Sequence, residues 1–276
     1  MKPKLMLTDL DGTLLRDDKS LSPANRAALE QAAAGGCEIV VATGRLLRAV
    51  PQFLLELPFL RYFILMNGAQ VLDRETGEVL YRCEIPLETA KKVFDLMEPL
   101  DCTVDCYQND IGLMERKYFD HLDYYIPHPA SKQMTQSNRT AVNDLWETVQ
   151  AGGKTVQKIQ MYFPHLELRP QVASLLRREV PELVQSISMP GNLELNAPGA
   201  TKGIALEKLC AALGIDSRDT IAFGDGTNDI SMLQAAGMGV AMANAAPETL
   251  AVADVIVLSN QEDGVAHLLY HFFPYL

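Results

Sequence analysis

The sequence predicts an α/β fold in which a Rossmann-like parallel sheet carries an inserted α+β segment. Strands and helices alternate near the N-terminus, and the alternation resumes after Lys202-Gly203. Between these stretches the pattern changes to short strands mixed with helices. We therefore expect one α/β domain built from both ends of the chain, with a second domain inserted into it.

The N-terminal elements follow from apolar runs and from the residues that bound them. Ser22 and Pro23 are a favoured cap and first residue of a helix, which Gly35-Gly36 would end. The run from Cys37 to Thr43 is nearly all apolar, as in a strand covered on both faces. We predict strands over Lys4–Thr8, Cys37–Thr43 and Tyr62–Met66, helices from Pro23 and from Gly44-Arg45, and a hairpin over Val71–Ile85.

The inserted segment has α+β character, and its two ends define the domain boundaries. The core is expected to comprise residues 1–84 and 195–276, and the inserted domain residues 85–194. In the insert we predict helices over Leu87–Leu100, Ala141–Gln150 and Val172–Arg178, and strands over Thr103–Tyr107, Ile111–Glu115, Lys158–Phe163, Gln185–Met189 and Leu193–Asn196.

Regular alternation returns in the C-terminal part. We predict strands over Thr220–Phe223, Gly239–Ala243 and Val255–Leu258, and helices over Ile204–Ala212, Ile230–Ala236, Pro247–Val252 and Gly264–Phe273. This pattern completes the parallel sheet.

Composition restricts the function. The 276 residues are 48% hydrophobic and 21% charged, which is typical of a globular protein. The formal net charge of -11 disfavours nucleic acid and anionic lipid as partners. An anionic substrate would therefore need a metal ion or a dedicated cation in its site.

Targeting and cysteine patterns are equally informative. Asp9 and Asp11 interrupt the apolar stretch after the basic N-terminus, and no apolar run approaches the 18 residues of a membrane span. We therefore expect a cytoplasmic protein that does not act on membranes. The five scattered cysteines indicate neither a disulfide framework nor a zinc site.

Two aspartates follow the first predicted strand, where ligands bind in open α/β sheets. Asp9 and Asp11 flank one residue and precede Gly12, so both can point into one crevice. Like charges about 4 Å apart repel by roughly 4 kcal/mol at an effective dielectric constant near 20. A magnesium ion would offset this repulsion, because it prefers oxygen ligands.

A second acidic motif, Gly224-Asp225-Gly226-Thr227-Asn228-Asp229, lies between a predicted strand and helix. Adjacent parallel strands would bring Asp225 and Asp229 to the same sheet edge as Asp9. Taken alone, this motif also fits a simple helix cap. Together with Asp9, it predicts an oxygen-rich magnesium site.

Two further features fit phosphate binding. Thr43-Gly44 places a hydroxyl and a bare backbone at the predicted start of a helix, where free N–H groups favour an anion. Lys202, at the start of a later helix, is the cation that the acidic chain requires. Each feature is common by itself, and it indicates phosphate binding only in combination with the acidic motifs.

In order, the motifs Asp9-x-Asp11-Gly-Thr, Val41-Ala42-Thr43-Gly44-Arg45, Lys202-Gly203 and Gly224-Asp225-x-x-Asn228-Asp229 resemble the four signature motifs of the haloacid dehalogenase (HAD) superfamily. Asn67-Gly68-Ala69 and the α+β insert resemble its Cof-type phosphatase branch, which has a C2B cap that sets substrate specificity. The resemblance spans the chain and implies a HAD-like core with such a cap.

The resemblance also implies site roles. Asp9 would be the nucleophile, and Asp11 would protonate the leaving alcohol and then activate water. For this, Asp11 should have a pKa well above the ordinary value of about 3.9. The metal ligands implied are Asp9, the Asp11 carbonyl and Asp225, with Asp229 in support.

The remaining roles concern the substrate. The phosphoryl group would be held by Leu10 through its amide, Thr43, Gly44, Lys202 and Asn228, and the leaving-group candidates are Arg45 and Asn67. The implied activity is magnesium-dependent hydrolysis of small phosphate monoesters, such as sugar phosphates, nucleotides or pyridoxal phosphate, by a monomer or small homo-oligomer. Two alternatives remain open: a phosphotransferase or phosphomutase using the same aspartyl phosphate, and a non-enzymatic module that binds phosphometabolites.

Overall fold

The computed structural model describes residues 2–187, 189 and 191–274. Two compact units are present: residues 1–82 with 201–276, and residues 83–200. We expected boundaries at 84/85 and 194/195. The second lies later because the strand Asn192–Asn196 pairs with Lys158–Tyr162 of the inserted unit.

The first unit begins with a strand and a helix, as predicted. Ser22 caps the helix by accepting a hydrogen bond of 3.0 Å from the Asn25 N–H. The elements are β1 (Leu5–Thr8), α1 (Pro23–Ala34), β2 (Glu38–Ala42), α2 (Gln52–Leu55), β3 (Leu60–Leu65), β4 (Gln70–Asp73) and β5 (Val79–Arg82).

The second unit contains both strands and helices. Its elements are β6 (Ile85–Pro86), α3 (Leu87–Met97), β7 (Asp105–Gln108), β8 (Ile111–Glu115), α4 (Arg116–Phe119), α5 (Leu122–Tyr125), α6 (Pro129–Asn138), β9 (Arg139–Val142), α7 (Leu145–Gly152), β10 (Thr155–Val156), β11 (Lys158–Tyr162), α8 (Leu168–Glu179), β12 (Val184–Ser186) and β13 (Asn192–Asn196).

The chain then returns to the first unit. The elements there are α9 (Lys202–Leu213), β14 (Thr220–Gly224), α10 (Ile230–Ala235), β15 (Met238–Met242), α11 (Pro247–Leu250), β16 (Val255–Val257) and α12 (Gly264–Phe272).

The first unit is built on an eight-stranded sheet of order β16-β15-β14-β1-β2-β3-β4-β5. The strands from β16 to β3 are parallel, β4 runs antiparallel to β3, and β5 runs antiparallel to β4. Strand β1 therefore lies between β14 and β2. The predicted α/β class, with its parallel-rich sheet and α+β insert, is confirmed.

Apolar residues cover both faces of the central strands. Leu5, Leu7 and Val40 pack in one cluster with Leu206 of α9 and Met232 of α10. The alternate residues of β1 and β2 are also fully buried. These are Met6, Ile39 and Val41. Burial on both faces explains why these strands are continuous apolar runs rather than alternating ones.

The second unit contains a six-stranded sheet of order β12-β13-β11-β7-β8-β9, and β6 pairs with β10 in a separate two-stranded ladder. One sheet face buries charged side chains in pairs. The Arg139 guanidinium binds Asp105, and the Lys158 ammonium lies 2.8 Å from Glu194. Pairing of this kind is what allows charges to be buried.

Three predictions of secondary structure require correction or restriction, and three helices were missed. The helix expected from Gly44-Arg45 is instead a short 3-10 turn at Leu47–Ala49 followed by α2, because Pro51 has no N–H to continue a helix. The start of the expected helix Ala141–Gln150 belongs to β9, and α7 begins after its Asp144 cap. Helices α4 to α6 were not predicted. The strand expected over Gln185–Met189 is shorter in the structure, where β12 covers Val184–Ser186, and residue 188 lies outside the described residues.

Within the described part of the chain, none of the helices combines the length and apolar character that crossing a bilayer requires.

Candidate active site

Asp9 directly follows β1 at the carboxyl edge of the first unit's sheet. Its N–H donates a hydrogen bond of 3.0 Å to the Phe223 carbonyl of the neighbouring β14. The side chain is almost fully buried, and the preceding strand has no polar side chain except Thr8. The sheet thus holds a carboxylate at a fixed place near its edge.

The second acidic loop follows β14. The Asp229 carboxylate accepts hydrogen bonds from the N–H groups of Asp225, at 3.0 Å, and Gly226, at 2.9 Å. Asp229 is fully buried, whereas Asp225 is partly exposed. Asp229 therefore folds the loop that presents Asp225.

Asp9, Asp225 and Asp229 form one carboxylate cluster. One oxygen from each lies within 4.8 Å of the other two, and among the described residues this is the group suited to a metal ion. Burial raises the pKa of Asp9, an effect that Lys202 opposes and Asp229 reinforces. Burial, then the charges of Asp9 and Asp229, raise the pKa of Asp225. Hard oxygen donors packed this closely fit a cation such as Mg²⁺.

Lys202 is the first residue of α9 and is fully buried. Its ammonium lies 2.6 Å from the Asp9 carboxylate and 2.5 Å from the Asp229 carboxylate. Burial alone would lower the pKa of Lys202, but Asp229 and Asp9 outweigh it and raise this pKa above its ordinary value. When all three carboxyls are ionised, they leave an excess of two negative charges over the single ammonium of Lys202, which a divalent cation would neutralise.

Asp11 lies in a different environment from that cluster. Its oxygens accept hydrogen bonds from Arg45 Nε and Nη2, each at 2.7 Å, and Lys19 Nζ is 2.7 Å away. Burial would raise the pKa of Asp11, but Arg45 and then Lys19 outweigh it and hold this pKa below its ordinary value. The expectation of a raised pKa is therefore wrong for this arrangement, because two cations contact the carboxylate.

Thr43 and Gly44 follow β2, the next strand after β1 in the sheet. Thr43 is buried, and its Oγ1 accepts a hydrogen bond of 3.2 Å from the Arg45 N–H. Thr43-Gly44 was expected to begin a helix whose free N–H groups would favour an anion. A short 3-10 turn follows instead, so no such helix N-terminus is present at these residues. Arg45 contacts Asp11 and donates to the Ala49 carbonyl at 2.7 Å.

The other predicted residues lie in loops at this sheet edge. Leu10 is buried, and its carbonyl accepts a hydrogen bond of 2.8 Å from the Leu15 N–H, which closes the loop after Asp9. Asn228 donates a hydrogen bond of 3.1 Å from Nδ2 to Oδ1 of Asn67. The structure thus brings Asn67 to Asn228, a contact that the sequence did not predict.

Several contacts at this edge were missed by sequence reasoning. The Thr13 hydroxyl donates a hydrogen bond to the Asp225 carboxylate. Asn244 donates a hydrogen bond of 2.8 Å to the Gly12 carbonyl, and Thr249 donates one of 2.9 Å to the Gly226 carbonyl. Asn244 could have been found, because it follows β15, the next parallel strand. The Thr249 contact arises within α11 and gave no signal in the sequence.

The chain is similar to known proteins over nearly its full length. A family model described as haloacid dehalogenase-like hydrolase matches residues 6–269. The phosphatase YwpJ of Bacillus subtilis is 31% identical, with 97% of this chain and 99% of YwpJ covered. A 5-amino-6-(5-phospho-D-ribitylamino)uracil phosphatase of the same organism, YcsE, is 30% identical, with 98% and 95% covered. A solved haloacid dehalogenase-like hydrolase from B. subtilis is 31% identical, with a TM-score of 0.84 over 97% of this chain and 99% of that one.

Proposed function

Because the chain belongs to the haloacid dehalogenase-like hydrolase family, we propose that it is a magnesium-dependent phosphatase of small phosphate monoesters. The family membership confirms the resemblance found in the motifs and the prediction of a hydrolase. The proposal about the reaction goes further and rests on the site.

The observation that carries the proposal is the carboxylate cluster with its single ammonium. We assign Asp9, Asp225 and the backbone carbonyl of Asp11 to Mg²⁺, with Asp229 supporting the loop. When bound, the ion would neutralise the excess negative charge and polarise the phosphoryl oxygens. Without such compensation, a phosphate dianion would be repelled from this edge of the sheet.

Asp9 is the nucleophile in this proposal. A carboxylate oxygen attacks phosphorus, the bond from phosphorus to the alkoxide oxygen breaks, and an aspartyl phosphate forms. Lys202, 2.6 Å from Asp9, opposes the rise in pKa that burial causes at this carboxyl and holds it in place. Water then hydrolyses the acyl phosphate and regenerates the carboxylate.

Asp11 supplies proton transfer in both halves of the reaction. It gives a proton to the leaving alkoxide and later takes one from the attacking water. Since Arg45 and Lys19 hold Asp11 as a carboxylate, the acid step requires these cations to move toward the arriving phosphate. The negative charge of the substrate attracts them in that direction.

The phosphoryl oxygens are assigned to the groups around the cluster. We assign their contacts to Thr43, Gly44, the Leu10 amide, Lys202 and Asn228. Donors that meet developing charge supply a large part of catalysis in phosphoryl transfer.

The substrate class follows from the relatives and the chemistry. YcsE is a phosphatase of 5-amino-6-(5-phospho-D-ribitylamino)uracil, which is a small phosphorylated compound. We extend to this chain only the class of small phosphorylated metabolites, which includes sugar phosphates, nucleotides and pyridoxal phosphate.

The test compares Asp9→Asn with wild-type protein on p-nitrophenyl phosphate, with Mg²⁺ or with EDTA. We expect release of phosphate that needs Mg²⁺ and falls by roughly 10⁴-fold or more in Asp9→Asn. The exposed Asp216, which pairs with Arg218, provides the control Asp216→Asn, expected to retain activity. Retained turnover in Asp9→Asn would refute the assigned nucleophile. Faster transfer to an added sugar than to water would favour the phosphotransferase alternative.

A further inference from the structure

The turn Met66-Asn67-Gly68, called here the 66–68 turn, has an unusual backbone. Met66 has φ 50° and Asn67 has φ 61°, so two successive residues with side chains lie in the left-handed region. Both are buried, with exposed fractions of 0% and 4%. Such conformations are unfavourable and persist where surrounding contacts enforce them.

The backbone of this turn is bound to the loop after β2. The Met66 N–H donates a hydrogen bond of 3.1 Å to the Arg45 carbonyl, and the Asn67 N–H donates one of 3.0 Å to the Thr43 carbonyl. The left-handed conformation thus directs two successive N–H groups to the segment that carries Thr43 and Gly44.

The side chain of Asn67 reaches a second loop of the site. Its Oδ1 accepts the hydrogen bond of 3.1 Å from Nδ2 of Asn228. Asn228 belongs to the loop that presents Asp225 and Asp229. Asn67 is nearly fully buried and Asn228 is partly exposed, so this contact is partly shielded from bulk water.

Gly68 packs against the start of α9. At its φ of 108°, a Cβ would lie 2.3 Å from the Thr201 carbonyl oxygen and 2.5 Å from the carbonyl carbon. Thr201 caps α9 by accepting a hydrogen bond of 3.2 Å from the Ile204 N–H, and Lys202 is the first residue of that helix. The turn therefore contacts the backbone immediately before Lys202.

We propose that Asn67 is a positioning residue, which acts on phosphate through Asn228 and not by contact with the leaving group. The 66–68 turn holds the segments of Thr43, Asn228 and Lys202 in one arrangement. This inference deepens the proposed function and rests on it, since the three segments matter together only if a phosphoryl group binds there. It also replaces the expectation that Asn67 contacts the leaving group.

A double-mutant cycle tests the dependence on Asn228. Asn67→Ala, Asn228→Ala and the double variant are compared with wild type on p-nitrophenyl phosphate with Mg²⁺, and inorganic phosphate is used as a competitive inhibitor. We expect each single variant to lower kcat/KM and to weaken phosphate inhibition on the order of tenfold. The double variant should be no worse than Asn228→Ala. Losses that multiply would show independent roles and overturn the proposal.

A matched pair of glycine variants tests the turn without altering any side chain that hydrogen-bonds. Gly68→Ala and Gly77→Ala both place alanine at positive φ, but at Gly77, in the hairpin loop after β4, no described atom lies within 4 Å of the new Cβ. With both variants shown by circular dichroism to be folded, only Gly68→Ala should lose kcat/KM. Equal activities would overturn the proposal.

These outcomes separate the two levels of inference. If the wild-type protein shows no Mg²⁺-dependent release of phosphate, the proposed function is wrong, and the positioning role of Asn67 is wrong with it. An active wild type that loses turnover in Asp9→Asn, with multiplicative losses in the cycle, removes the positioning role alone.

Discussion

The Thr13 hydroxyl donates a hydrogen bond of 2.7 Å to Oδ1 of Asp225, across 212 positions of the sequence. Strands β1 and β14 are parallel neighbours with Thr8 opposite Phe223, so the loops that follow them meet at one edge of the sheet. The contact joins the two acidic motifs directly. The geometry of the carboxylate cluster therefore depends on a neutral hydroxyl as well as on charges.

Thr13→Val removes this donor and preserves the shape of the side chain. We expect Mg²⁺ affinity to fall about tenfold, because outer partners of metal ligands typically contribute that much. Isothermal titration calorimetry with Mg²⁺ measures the change. Thr140→Val, at an exposed position of β9, is the control and should bind as wild type does. Equal affinity in Thr13→Val would show that the hydroxyl does not orient Asp225.

Gly12→Ala should damage the same cluster by a steric route. Gly12 has φ 89°, and a Cβ there would lie 2.3 Å from Oδ2 of Asp225. We expect loss of Mg²⁺ binding and of phosphate release. Gly36→Ala is matched, since Gly36 has φ 85° and no described atom lies within 4 Å of its Cβ position.

The Gly36 variant should lose about 1 kcal/mol of stability from its backbone and no activity. Chemical denaturation and the phosphatase assay on both variants distinguish the two effects. Similar activity in the two variants would mean that the loop after Asp9 moves to accommodate the methyl group.

The fold was predictable where burial on both faces imposes a simple pattern. Strands β1, β2 and β14 are continuous apolar runs, each followed by polar site residues. Helices α4 and α5 have four residues each, too short for a periodic pattern to emerge. The two-residue ladder of β6 and β10 is equally invisible, since its pairing is set by tertiary contacts.

The site was predictable to the level of loops and less so to the level of side chains. Sheet order brings Asp9, Asp225 and Asp229 together, as the motifs indicated. The pairing of Asp11 with Arg45 depends on the path of the chain after β2, where Pro51 prevents the expected helix. Strand order alone does not determine such contacts.

Lys202→Met should destabilise the metal-free protein and increase its dependence on Mg²⁺. Removing one partner of a buried ion pair commonly costs about 3–5 kcal/mol. Without the ammonium, the repulsion among the remaining carboxylates is larger, so Mg²⁺ binding relieves more of it. Mg²⁺ should therefore raise the apparent Tm further than in wild type. Thermal denaturation with and without Mg²⁺ measures this.

The matched control is Lys158→Met, which breaks the buried ion pair between Lys158 and Glu194 in the second unit. It should also destabilise the protein, but Mg²⁺ should shift its apparent Tm no more than that of wild type. A Mg²⁺ response in Lys202→Met equal to that of wild type would contradict the assigned charge balance.

Arg45→Ala should raise the pKa of Asp11. The guanidinium is the main group that outweighs burial at this carboxyl, so its removal lets burial act with opposition from Lys19 alone. Carboxyl ¹³C NMR titration of the metal-free protein measures the pKa. In the control Arg61→Ala, the pKa of Asp73 should rise from about 2, while the pKa of Asp11 should not change. An unchanged Asp11 pKa in Arg45→Ala would show that the guanidinium does not cause the lowered pKa of Asp11.

Mg²⁺ binding should strengthen as pH rises from 6 to 8. Burial raises the pKa of both Asp9 and Asp225, so the metal-free cluster holds protons in this range that the cation must displace. Because the groups are protonated below their raised pKa values, affinity falls as pH falls. Calorimetry in buffers of different ionisation enthalpy should detect released protons. An affinity that does not change with pH, with no proton release, would mean that both carboxyls are already ionised before the ion arrives.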